Sequence, residues 1–426
     1  MTELNIKLTK EIELLRLVTV GSVDDGKSTL IGRLLVDTKG AFEDQLLAVR
    51  KKKGEQEIAS AAEIDLAMLT DGLSAEREQG ITIDVAYRYF ATPKRKFIMA
   101  DCPGHEQYTR NMVTGASTAS AAIILIDARS GVMPQTRRHT HILGLLGVPH
   151  LVVAINKMDL VDFDQTIFEK IRQDMADYCT RQGIRDLICI PMSALDGDMV
   201  AVRGDRMPWY EGETLLETLE SLPVLGDIDD QPFRFPVQLV NRPQTKELPD
   251  YRGFMGTIVS GTVRVGDSLT ALPSGKSSTV KEIVTFDGSL NEAFSPQSIT
   301  ITLSDEIDIS RGDMLVHTDS GVEPRKEITA NICWIGSEPL EPKKKYWIKH
   351  TTNTLKAMVT EIDFRTDIHS LQHDSADQLT MNEIGQVQLK LLKPVYADNY
   401  ADNRSTGSFI LIDSFTNNTV GAGMII

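Results

Sequence analysis

Gly21-Ser22-Val23-Asp24-Asp25-Gly26-Lys27-Ser28 follows the apolar run Leu14-Leu15-Arg16-Leu17-Val18-Thr19-Val20. A glycine-rich loop therefore joins a buried strand to the next helix, the arrangement of a phosphate-binding loop. The glycines let backbone N–H groups wrap round phosphate oxygens, and the helix N-terminus favours negative charge. Lys27 reaches the terminal phosphates, and the Ser28 hydroxyl, with Thr29 behind it, is placed to ligate magnesium.

Working outward, Asn156-Lys157-Met158-Asp159 closes a second apolar run, Leu151-Val152-Val153-Ala154-Ile155. In a parallel sheet that is where side chains meet a ligand in the crevice. A carboxylate at Asp159 accepts hydrogen bonds from guanine N1–H and the 2-amino group. Adenine supplies neither donor and would leave the acceptor unpaired, which is how a hydrogen-bonding site rejects an analogue. Asn156, Lys157 and Met158 brace the loop. Ser193-Ala194-Leu195, after a strand over residues 187–190, offers a backbone N–H to guanine O6.

Between these motifs Asp101-Cys102-Pro103-Gly104-His105 follows Phe97-Ile98-Met99-Ala100. Asp101 then stands at a strand end near the phosphates, where it holds magnesium through a water. The Gly104 N–H meets the γ-phosphate only if no side chain intervenes. Cys102 and Pro103 line the same turn. Arg77-Glu78-Gln79-Gly80-Ile81-Thr82 precedes this strand, and Thr82 is the natural second hydroxyl ligand for magnesium in the triphosphate state. His105 is the candidate for orienting the attacking water; the plainer reading is a histidine that caps a helix.

The order of these motifs, with Asp-Cys-Pro-Gly-His and Asn-Lys-Met-Asp, resembles the translation-factor GTPases typified by elongation factor Tu, over essentially the whole chain. The resemblance implies that His105 positions the hydrolytic water and that Val23 and Ile81 form an apolar gate that holds it back. That class usually reads Gly-His-Val-Asp-His-Gly-Lys in its phosphate loop, whereas here Ser22 and Asp25 replace both histidines. With the segment from Asp71 to Phe90 and the long insertion before it, this departure is most similar to the GTP-hydrolysing large subunits of bacterial ATP sulfurylase (sulfate adenylyltransferase). Membership would imply GTP and Mg2+ as ligands and an energy-coupling role in sulfate assimilation. It would also imply a small partner subunit, in a heterodimer or higher assembly, that binds ATP and sulfate and makes adenylyl sulfate. No residue here is assigned to ATP or sulfate. The other reading within the class is an elongation factor carrying aminoacyl-tRNA. Some relatives carry a fused adenylyl-sulfate kinase; no second phosphate loop occurs up to Ile426, so such a kinase is separate or lies outside this sequence.

A chain of 426 residues exceeds one hydrophobic core. The expected fold class is an α/β P-loop GTPase domain, doubly wound on a mainly parallel sheet, followed by two antiparallel β-barrel domains. The division expected is 1–226 for the GTP-binding domain, 233–326 for the first barrel and 330–426 for the second, with a linker around Asp227-Ile228-Asp229-Asp230-Gln231-Pro232. Cys333 and Trp334 should lie on the first strand of the last domain, which starts near Ala330. The formal net charge of −15 repels phosphate backbones and argues against nucleic acid as a partner. Lys51-Lys52-Lys53 and Lys343-Lys344-Lys345 read as solvated faces or loops for an acidic partner. The charged, helix-prone segment at about 35–71 is either a lever that reads the nucleotide state or an inert insertion. Cys102, Cys179, Cys189 and Cys333 lack metal spacing and are expected to be free thiols of a cytoplasmic protein. No apolar run is long enough to span a bilayer.

Overall fold

The computed structural model describes residues 13–40, 66, 69, 84–223, 231–243 and 250–426. Ile81 and Thr82, the segment at 77–80, the insertion at 41–65 with its lysine run, and linker residues 227–230 lie outside the described residues. The chain divides into two compact units, Met1–Val224 with Ile368–Leu371, and Leu225–Asp367 with Gln372–Ile426.

The first unit is built on β1 (Leu14–Val20), β2 (Ala86–Ala91), β3 (Lys96–Asp101), β4 (Ala121–Asp127), β5 (His150–Asn156) and β6 (Leu187–Pro191), in the order β2-β3-β1-β4-β5-β6. All neighbours are parallel except β2, which runs antiparallel to β3. Every residue of β4 and β5 is buried, because central parallel strands are covered on both faces and so read as unbroken apolar runs. The edge strand β2 instead alternates, with Tyr87 and Tyr89 exposed.

Among the described residues, α1 (Lys27–Asp37), α2 (Thr109–Ala116), α3 (Pro134–Leu145) and α4 (Gln165–Arg181) lie between these strands, and α5 (Leu215–Ser221) follows β6. An isolated helix of the 11 residues of α1 would be marginal in water. Leu30, Ile31 and Leu34 stabilise it by full burial, each contributing about 1.5–3 kcal/mol. Proline opens α3 at N1, where a missing N–H costs nothing. The Asp164 carboxylate caps α4 by accepting from Thr166 N–H at 2.7 Å, and Thr214 with Glu217 forms a capping box on α5.

The second unit is antiparallel throughout. Its first strands are β7 (Arg234–Asn241), β8 (Gly253–Thr257), β9 (Thr262–Arg264), β10 (Ser268–Leu272), β11 (Lys276–Thr285), β12 (Gly288–Leu290), β13 (Glu292–Phe294), β14 (Ser298–Leu303) and β15 (Met314–His317). The order β10-β15-β7-β8-β14-β11 closes on itself through a β10–β11 pairing, so six strands form a barrel round Phe235, Phe254, Leu269, Ile283 and Ile301. β9 and β13 pair beside it.

The second sheet comprises β16 (Pro324–Trp334), β17 (Lys345–His350), β18 (Asn353–Thr366), β19 (His373–Asp374), β20 (Ile384–Tyr396), β21 (Ser408–Asp413) and β22 (Thr419–Ile425). It too closes into a six-stranded barrel, through β17–β18, round Trp334, Tyr346, Val387 and Leu411. Cys333 and Trp334 lie at the end of β16, which starts at Pro324. Proline is tolerated as the first residue of a strand, and Pro324 and Arg325 pair with Tyr396 and Val395 before a register shift. Within this unit the Arg234 guanidinium grips the Asp398 carboxylate at 3.0 and 2.9 Å, and Asn403 Nδ2 donates to Ser260 Oγ at 2.8 Å, so polar contacts tie the two barrels together.

Candidate functional site

Four loops leave the carboxyl ends of β1, β3, β5 and β6, the end at which an open parallel sheet binds its ligand. The loop after β1 turns through Asp24 at φ 67° and Gly26 at φ 94° before α1 begins at Lys27. Gly26 is needed there: its φ is left-handed, and a Cβ would lie 2.5 Å from Asn156 Nδ2. The Lys27 ammonium folds over the loop and donates to the carbonyls of Gly21 (3.1 Å) and Ser22 (2.7 Å). Asp25 Oδ2 accepts from Ser22 N–H at 2.5 Å. Both charged groups are buried. Burial pushes the Lys27 ammonium down and the Asp25 carboxyl up, while each group opposes the other's shift. Ser28 and Thr29 follow in the first turn of α1, half-buried, and Val23 is 40% exposed at the loop tip.

Asp101 ends β3 and is buried, with Cys102, Pro103 and Gly104 buried after it. A Cβ on Gly104 would lie 2.5 Å from Lys27 Nζ and 2.8 Å from the Gly21 carbonyl, so the phosphate loop and the turn after β3 pack too closely for any side chain. His105 is half-buried; its Nδ1 accepts from Gln107 N–H at 3.3 Å. A neutral ring held this way carries its proton on Nε2.

After β5, Asn156 holds three loops together. Its Nδ2 donates to the Asp25 carbonyl at 2.9 Å, and its Oδ1 accepts from Ala194 N–H, also at 2.9 Å. Guanine O6 would therefore have to share the Ala194 donor or take it from Asn156. Lys157, at φ 62°, donates to the Asp24 carbonyl and pairs with Asp127 Oδ2 at 3.0 Å. Met158 is fully buried and its N–H donates to the Met192 carbonyl at 3.1 Å. Asp159 follows within a 3-10 turn, Met158–Val161, and is half-buried. Ser193 and Ala194 are buried and Leu195 is 60% exposed.

Residues 12–224 match the family model described as elongation factor Tu GTP binding domain, and residues 327–426 match GTP-eEF1A C-terminal domain-like. Sulfate adenylyltransferase subunit 1 of Saccharophagus degradans is 56% identical over 414 residues, covering 97% of this chain and 87% of that protein. The chain belongs to the sulfate adenylyltransferase subunit 1 family. Family members from Aliarcobacter butzleri (53% over 436 residues, 100% of this chain and 92% of that protein) and Bacteroides fragilis (54% over 415 residues, 97% and 86%) are similarly close. With its elongation factor Tu type GTP binding domain, this subunit 1 family member is a GTPase enzyme subunit.

Two residues of this subunit 1 chain that brace the site are hidden in its sequence. Arg33, on the buried side of α1, donates from Nε to the Ala194 carbonyl at 3.1 Å and from its guanidinium to the Leu195 carbonyl, binding the phosphate-loop helix to the turn after β6. Asp127, at the end of β4, receives Arg129 Nε and Nη2 at 3.0 and 2.6 Å together with Lys157. Burial opposes its ionisation, but the Arg129 contacts and then Lys157 hold the carboxyl down at about 2.

Among the described residues no group of three or more His, Cys, Asp or Glu side chains is arranged to hold a metal. What is present near Lys27 is a hydroxyl (Ser28) and a buried carboxylate (Asp101), hard oxygen donors that fit magnesium, which takes its remaining ligands from water and phosphate. No helix of the described residues is long and apolar enough to cross a membrane.

A pH dependence follows from His139 on α3, which is fully buried, with Nδ1 lacking a hydrogen-bond partner among the described residues. Burial first, then Lys27 and Arg138, hold its pKa down from 6.5 to about 3. The folded value lies below the unfolded one, so the unfolded chain binds the extra proton. His139's contribution is therefore complete above pH 6.5 and is lost as pH falls toward 3, by at most about 1.4 kcal/mol per unit. Thermal unfolding of the GTP-binding unit should drop steeply between pH 7 and 5, and His139→Gln should flatten that drop; parallel curves would assign it to other groups.

Proposed function

We propose that this chain is the GTP-hydrolysing, energy-coupling subunit of a sulfate adenylyltransferase. GTP hydrolysis drives ATP and sulfate to adenylyl sulfate and pyrophosphate, and a small partner subunit carries out the adenylyl transfer. The observation that carries this reading is Asn156, which joins the phosphate loop to the turn after β6 beside Asp159 in a chain of this family. That arrangement suits a guanine nucleotide.

In the proposed site the phosphate-loop amides, Lys27 and the N-terminus of α1 bind the phosphates, while Asp159 and the turn at 193–195 read the base. Lys27 would exchange the Gly21 and Ser22 carbonyls for phosphate oxygens, which replaces neutral acceptors by charged ones. Ser28, Asp101 through water, and Thr82 would hold magnesium, which when bound neutralises charge on the phosphates. His105 orients the water, and Val23 with Ile81 gates it. Gly104 lets the backbone approach the γ-phosphate, so loss of that phosphate frees the turn after β3. Coupling then requires that the two nucleotide states bind the partner with different affinities, since a ligand shifts an equilibrium only by its differential binding. The division into 1–226, 233–326 and 330–426, and a cytoplasmic location, belong to the same proposal.

The test is GTP hydrolysis by the purified chain with and without the small sulfurylase subunit, while ATP and sulfate are varied. Stimulation that needs the partner and both its substrates is the expected result. Stimulation by ribosomes and aminoacyl-tRNA instead would overturn it in favour of a translation factor.

A further inference from the structure

The base-reading loops after β5 and β6 are joined at their outer ends by a residue farther along the connection from β6 to α5. Arg206 Nη1 pairs with Asp196 at 2.7 Å, and its Nη2 pairs with Asp198. The same guanidinium lies over the Phe163 ring, 4.6 Å from its centroid. Phe163 closes the turn that starts at Met158, through Phe163 N–H to the Met158 carbonyl at 2.9 Å, and its own carbonyl accepts from Trp209 Nε1 at 3.1 Å. Asp196 and Asp198 flank Gly197, whose φ of 94° reverses the chain. Ser193 N–H donates to the Asp198 carbonyl at 3.2 Å, and Gly197 N–H to the Ser193 carbonyl at 2.7 Å. One planar cation thus holds the turn that follows Asp159 against the turn that carries Ser193, Ala194 and Leu195.

We propose that Arg206 is a positioning residue for guanine recognition, clamping the Asp159 turn to the Ser193–Leu195 turn and so slowing release of the guanine nucleotide. This rests on the guanine-binding reading above. An arginine suits the task because its rigid fork satisfies two carboxylates while its flat face stacks on an aromatic ring; a lysine does one or the other. Arg33 fixes the inner side of the same turn through the Ala194 and Leu195 carbonyls, so the outer end is where the turn can open. The Arg206 and Asp196 side chains are 39% and 37% exposed, which leaves this pair open to screening by salt, whereas Asp198 is 8% exposed.

The experiment measures GDP dissociation from the full chain in complex with its partner subunit, by stopped-flow chase of a fluorescent GDP. Wild type is compared with Arg206→Gln, Arg206→Lys, Asp196→Asn and the control Arg203→Gln. Arg203 bonds only the Tyr210 and Gly212 carbonyls among the described residues. We expect Arg206→Gln to speed GDP release about tenfold, Asp196→Asn to act in the same direction, and Arg206→Lys to recover only part of the loss. KM for GTP should rise in Arg206→Gln. Raising potassium chloride should speed release from wild type and have little effect on Arg206→Gln.

GDP release at the wild-type rate from both Arg206→Gln and Asp196→Asn would overturn the clamp. So would equal acceleration by Arg203→Gln. Should Arg206→Gln fail to fold, Asp196→Asn, at an exposed partner, decides alone. If wild type does not prefer GDP over ADP, the guanine reading itself has failed, an outcome distinct from failure of the clamp.

Discussion

Asp159→Asn should cost the protein its guanine nucleotide and give it xanthine instead. Two hydrogen bonds to a carboxylate, from guanine N1–H and the 2-amino group, contribute about 1.5–3 kcal/mol each. Their loss amounts to about 3–6 kcal/mol, or roughly 10²–10⁴ in affinity. An asparagine amide offers one acceptor and one donor, which matches the N1–H and the 2-carbonyl of xanthine. The surrounding turn should survive the change. Its backbone is held by Met158 N–H on the Met192 carbonyl and by Lys157 on Asp127, none of which involves the Asp159 side chain. Competition between GTP and XTP for the purified variant measures the exchange directly. Unaltered GTP affinity, or equal loss of both nucleotides, would remove Asp159 from base reading.

The parts of this molecule that were legible in its sequence are those whose physics is local. A phosphate loop needs glycines, a lysine and a hydroxyl within eight residues of a strand end, and that stretch folds as read, with Gly26 in the left-handed region. The same holds for the turns at the ends of β3 and β5, and for the alternating, glycine-punctuated strands of the barrels. What could not be read depends on distant pairings. Arg33 looks like one charged residue on an amphipathic helix, yet its partner Ala194 lies 161 residues away. Arg206 sits in an exposed loop, and nothing near it in sequence names Phe163 as its ring. Ring closure through β10–β11 and β17–β18 leaves no motif, because any strand with the right alternation can supply the last pairing. His139 carries no sequence signal for the same reason: burial on a helix face is set by what packs against it.

His105→Ala should reduce the partner-stimulated rate of GTP hydrolysis by about 10²–10³ while GTP affinity changes by no more than about threefold. The side chain sits one residue beyond Gly104, whose backbone packs against the Gly21 carbonyl and the Lys27 ammonium, so its position relative to the phosphate loop is set by that close approach. Gln107 N–H holds Nδ1, and the Tyr108 ring lies edge-on with centroids 6.1 Å apart, so Nε2–H is the tip left to meet a water. Orienting a water requires a hydrogen-bonding tip more than a strong base, because in a loose transition state the water needs to lose little of its proton before the phosphoryl group departs. His105→Gln should therefore retain more activity than His105→Ala. Single-turnover hydrolysis with the partner present separates this from a binding defect. Comparable rates for wild type and His105→Ala would mean that another group places the water, and a rate lost in proportion to GTP affinity would make His105 a structural residue of the turn after β3.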